Sequence, residues 1–164
     1  MSAAAAVTVA GAGNRWVAPD RVGPAVLDRL GDRLGDEVEL VDLGAAGLAL
    51  LDHLRGQEML VVVDACLSGA TPGALRVSAP DLESTPGPST SVHQLGPEEA
   101  LITARHLDPE TLPAVIWLVQ VETAGLSEEG LERAAAAAAL RVEGLVEAWR
   151  QGRHRIGACH DDQP

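Results

Sequence analysis

The chain has 164 residues, 46% of them hydrophobic, which suits one domain with a substantial core. Its formal net charge of −12 argues against nucleic acid or an anionic membrane as a partner. All 12 basic residues are arginine, so a lysine nucleophile, a Schiff base and a P-loop lysine are excluded.

The apolar residues are chiefly Ala, Val and Leu, with no Tyr or Phe. Ala and Leu suit helices and Val suits buried strands, a mixture that points to α/β architecture. Only Cys66 and Cys159 occur, far apart, which speaks against a disulfide scaffold and for a reducing, cytoplasmic setting. The opening "MSAAAAVTVAGAGN" lacks the basic start of a signal peptide. No segment reaches the roughly 18 uncharged apolar residues that a membrane-spanning helix needs.

Strands and helices alternate along the chain. Ala5–Ala10 reads as a first strand, followed after a Gly-rich corner by a helix from Arg21 to Leu34. Val22, Val26, Leu30 and Leu34 share one face of that helix, with Leu27 beside them. Glu37–Leu43 is a second strand and Ala45–Arg55 a short helix. "MLVVVDA" (Met59–Ala65) is continuously apolar, as expected of a central parallel strand covered on both faces. Gly73–Ala79 reads as an edge strand, and residues 80–95, rich in Pro, Ser and Thr, as a long loop of the functional kind. A helix over Pro97–His106 and a strand over Ala114–Val121 follow. The last helix runs from Ser127, its N-cap, to Arg150 and packs through Leu131, Ala135, Ala138, Val142, Leu145 and Trp149. Residues 1–150 thus form one domain, with 151–164 a polar, flexible tail.

The corner "VAGAGNRW" offers Gly11 and Gly13 of a dinucleotide fingerprint, but Trp16 occupies the third glycine position. A phosphate cradle is therefore set aside, and Asp42 after the second strand is unremarkable. Asp20, beyond the corner, is open to two readings: a helix cap, or a carboxylate aimed into a site. Asp64 ends the most apolar strand, at the sheet edge where open α/β folds place ligands. It reads equally as a cap for the next element. His93 lies in the long loop, as a site group or an ordinary loop histidine. Together two carboxylates and an imidazole would suit a divalent transition ion with vacant positions.

The segments "GAGNRWVAPDRVG", "VDLGAAGLALLDHL", "VVVDACLSGATPG" and "SVHQLG", in that order, resemble the hydrogenase maturation endopeptidases over about residues 7–150. The resemblance implies a three-layer α/β sandwich: a mostly parallel, twisted sheet with helices on both faces, of phosphorylase/hydrolase-like type. It implies an endopeptidase that removes the C-terminal extension of a nickel-loaded [NiFe] hydrogenase large-subunit precursor. By position, the family's metal-contacting groups fall on Asp20, Asp64 and His93, with Asp20 or Asp64 also a general base. Gly11, Gly13 and Asn14 shape the corner that presents Asp20. Nickel comes with the substrate, no organic cofactor is held, and the protein acts as a monomer on its precursor. One departure stands out: the family has two adjacent acids where this chain has Pro19 and Asp20. A precursor-binding factor that has lost cleavage is the alternative. The tail group of Cys159, His160, Asp161 and Asp162, with His154 nearby, reads as a polar terminus rather than a metal cluster, and His53 and His106 as helix-surface histidines.

Overall fold

A computed structural model describes residues 5–85 and 95–158, with side chains to residue 152. Five strands make a single sheet: β1 (Val7–Ala12), β2 (Val38–Gly44), β3 (Met59–Cys66), β4 (Leu75–Ser78) and β5 (Val115–Glu122). Their order is β2-β1-β3-β5-β4, parallel throughout except for β4, which runs antiparallel against β5 at the edge. The helices are α1 (Val22–Leu30), α2 (Pro97–Leu107) and α3 (Glu128–Ala158).

Alternation along the strands divides the core into two faces. Val7, Val9, Met59, Val61, Val63, Val119 and Val121 face α1 and α3. Ala10, Val41, Leu43, Leu60, Val62, Ile116 and Leu118 face α2 and a 3₁₀ segment at Gly47–His53. With helices on both faces, the expected α/β sandwich is observed. The long apolar runs of β1 and β3 are explained by their inner positions, since their first five residues are buried in both strands.

Most elements fall where the sequence puts them, with shifts of one or two residues. The first helix is shorter than expected: α1 stops at Leu30 because Gly31 adopts φ +46°, and a 3₁₀ turn over Gly31–Leu34 carries Leu34 back onto the core. The short helix expected over Ala45–Arg55 is a 3₁₀ helix confined to Gly47–His53. The Ser127 hydroxyl accepts the Gly130 N–H at 3.0 Å, as an N-cap does. At the other end α3 continues past Arg150 to Ala158, so the boundary expected there is not a break in helix. Among the described residues, no helix is long and apolar enough to cross a membrane.

Candidate active site

The corner after β1 is held by its own hydrogen bonds. The Gly13 N–H donates to the Gly44 carbonyl at 2.8 Å, tying it to the end of β2. The Val17 N–H donates to the Asn14 carbonyl at 3.1 Å, and the Asp20 N–H to the Val17 carbonyl at 3.0 Å. A 3₁₀ turn over Ala18–Asp20 then returns the chain, so that Asp20 Oδ2 accepts the Asn14 N–H at 2.6 Å. Asp20 thus caps no helix of its own; it closes the corner and is presented by it.

Gly13 is what permits the closure. Its φ of +126° suits glycine, and a Cβ built there would lie 1.8 Å from the Asp20 carbonyl oxygen. Close packing of strand on helix falls to Gly11 and Gly23 instead. A Cβ on Gly23 would lie 2.2 Å from the Ala12 carbonyl oxygen, and one on Gly11 2.7 Å from that of Gly23. The glycine that brings α1 onto β1 therefore sits outside the fingerprint spacing. α1 begins only at Val22, after the 3₁₀ turn, so the corner does not lead directly into a helix as a dinucleotide fingerprint requires.

Asp64 lies near the end of β3, beside β1, and its Oδ1 accepts the Ala65 N–H at 2.8 Å. Asp20 and Asp64 line one cleft of about 210 Å³, floored by Gly13, Gly44 and Gly47 and closed by Gly96 and Pro97 at the start of α2. Gly47 makes the last contact feasible, since a Cβ there would meet the Gly96 backbone at 2.4 Å. Burial pushes the Asp64 carboxyl up from 3.8 to about 6. The Ala65 N–H opposes that rise, while the charges of Asp20 and Glu99 add to it. One oxygen of each aspartate is oriented by a backbone N–H, and among the described residues no protein donor reaches the other oxygen. Two oriented hard donors at an open cleft suit a divalent cation presented from outside.

His93 lies outside the described residues, as do Cys159, His160, Asp161 and Asp162. Its neighbours Leu95 and Gly96 enter the wall of the cleft. Among the described residues, no three His, Cys, Asp or Glu side chains form a metal-binding group.

Other residues emerge only in three dimensions. Glu99, in the first turn of α2, acts on Asp64 through its charge. Asp42 is not the bystander expected: its Oδ1 accepts the Gly44 N–H at 2.9 Å and its Oδ2 pairs with Arg15 at 3.0 Å. Glu122, only 1% exposed, ends β5 and accepts both the N–H and the hydroxyl of Ser68 at 2.7 Å, fixing the loop that leaves β3. Those donors hold its carboxyl below the usual range. Burial pushes the half-buried Cys66 thiol up, which is wrong for a nucleophile. His53 is not a plain surface residue either, since its Nδ1 is buried without a partner.

The profile described as HycI, hydrogenase maturation protease, matches residues 24–149. The chain belongs to the hydrogenase maturation protease family. It is 30% identical, over an alignment of 166 positions, to the hydrogenase 2 maturation protease of Escherichia coli K12, covering 90% of this chain and 98% of that one. It is also 30% identical over 130 residues to the hydrogenase expression/formation protein HupM of Azotobacter chroococcum, covering 76% of this chain and 60% of that relative. The fold is that of the hydrogenase maturating endopeptidase HybD from E. coli, with a TM-score of 0.68 at 23% identity over 87% of this chain and 92% of that one. The maturation protease HycI from Thermococcus kodakarensis gives 0.62 at 23% identity over 89% and 95% of the two chains. Asp20 and Asp64, the two acids that the sequence singles out, are brought by the fold into one cleft.

Proposed function

We propose that this maturation protease removes the C-terminal extension of a [NiFe] hydrogenase large-subunit precursor after nickel insertion. The observation that carries the reading is the meeting of Asp20 and Asp64 in one open cleft, with Asp64 buried enough to titrate near neutrality. Nickel is part of the substrate: bound to the precursor, it supplies Lewis-acid character beside the scissile carbonyl. Asp20 and Asp64 hold oriented oxygens toward it, and His93 contributes the nitrogen donor. Cleavage is thereby conditional on metal loading. Asp64, whose carboxyl burial raises to about 6 in the free protein, is the better suited of the two to serve as general base. Asp20, fixed by the Asn14 N–H, positions rather than transfers. The protein works in the cytoplasm, as a monomer.

The test is direct. Purified protein is incubated with nickel-loaded and nickel-free precursor, and the precursor mass is followed. Loss of the extension from the loaded form alone is expected; equal truncation of both forms, or of neither, refutes the reading. Pro19 favours a second reading, a factor that binds the precursor without cutting it. It stands exposed in the 3₁₀ turn where the family has a second acid. Stable binding of loaded precursor without any truncation would establish that role instead.

A further inference from the structure

An open groove of about 510 Å³ adjoins the carboxylate cleft and shares Gly13, Gly44 and Ala45 with it. Its wall is Trp16, whose indole is 89% exposed, the most exposed large apolar side chain of the described residues. Nothing in the core uses this ring. The other exposed large apolar residues, Leu67 and Leu107 among them, are aliphatic.

The indole is held out on a braced loop. The Trp16 N–H donates to Asn14 Oδ1 at 2.9 Å, within the same bonded corner that carries Asp20. Arg15, its neighbour, reaches Asp28 at 2.5 Å and Asp42 at 3.0 Å, clamping the loop to α1 and β2. An exposed tryptophan on a braced loop beside a cleft is the kind of group that dominates binding energy at protein interfaces.

The surroundings limit what can cover it. Arg15 is matched by two carboxylates, so this wall carries no uncompensated positive charge, and the chain as a whole stands at −12. An acidic segment is disfavoured there. Gly44, where an added Cβ would meet nothing within 4 Å, leaves room for a polypeptide backbone to approach closely.

We propose that Trp16 is a specificity-determining residue: the groove takes an uncharged apolar side chain of the precursor polypeptide next to the scissile bond, packed on the indole. This rests on the proposed processing reaction and names a subsite for it.

The test separates binding from cleavage. In processing assays on nickel-loaded precursor, Trp16→Ala raises KM at least tenfold and leaves kcat within about twofold. Trp16→Phe, which keeps an aromatic face, recovers most of the loss. In the Asp64→Asn background, calorimetric affinity for the same precursor falls at least tenfold when Trp16→Ala is added. An unchanged KM in Trp16→Ala overturns the subsite while leaving the protease reading intact. Binding that depends on Trp16 without any cleavage by the parent chain upholds the subsite and removes the protease reading. Indole protection that grows with protein concentration alone, followed by acrylamide quenching and lost in Trp16→Phe, would mean that a second copy covers the ring, and overturns the proposal.

Discussion

Replacing Asp64 with Asn should stabilise the protein while disabling it. Asn keeps an acceptor for the Ala65 N–H and fills the same volume, so the change isolates the charge. A carboxyl moved from 3.8 to about 6 by the fold is harder to ionise there than in the unfolded chain by about 3 kcal/mol. Below pH 3.8 the acid is neutral in both states and the substitution has little effect. As pH rises toward 6 the unfolded chain releases this proton first, and the parent loses stability that the variant keeps. Above pH 6 the difference is complete. For a chain of this size, about 3 kcal/mol corresponds to roughly 6–12 °C in Tm. Urea unfolding of parent and variant at intervals from pH 4 to pH 8 measures the difference, free of the contributions that other groups share. Processing by the variant should fall about 100-fold or more, and in the parent it should rise with pH through about 6. A variant no more stable than its parent at pH 8, or more stable by the same amount at every pH, would refute the buried-charge argument.

Gly23→Ala should cost about 3 kcal/mol or more in urea unfolding, since its Cβ meets backbone of both β1 and β3 and α1 must lift off the sheet. Glu122→Gln should lower stability at neutral pH, because the amide presents one acceptor oxygen where the carboxylate has two. As Glu122 is held below its usual value, the parent's advantage should be present at neutral pH and disappear on acidification, which unfolding curves at pH 7 and pH 3 would show. His93→Ala should abolish processing and leave Tm unchanged; normal truncation by that variant would remove His93 from the donor set.

That Asp20 and Asp64 come to one edge of the sheet was legible because strand runs are local signals, whereas the choice between cap and site group rested on the family resemblance. β3 could be read from "MLVVV" alone, and parallel pairing then fixes which sheet edge Asp64 occupies. The amphipathic faces of α1 and α3 were legible for the same reason, down to Val22, Val26, Leu30 and Val142. What escaped were relations between distant segments. Glu122 ends β5 as an apparently ordinary surface acid, and only the return of Ser68 over it makes it buried. Asp42 acquires its role from Arg15, on another crossover. Gly23 looks like a poor helix former inside α1, and its purpose appears only when β1 lies beneath it. The early end of α1 was signalled by Gly31, but the continuing apolar spacing to Leu34 masked it.

β1 and β3 are hydrogen-bonded neighbours, yet the chain between them travels out to β2 and back. How far Asp20 stands from Asp64 is therefore set by the ladder, about 4.8 Å from strand to strand, together with the bonded corner that returns Asp20 to Asn14. Stretches of that excursion that touch neither the corner nor the cleft can drift or lengthen without spreading the jaws. A lineage can lose most of its letters in common with its cousins and still keep the two acids in one cleft.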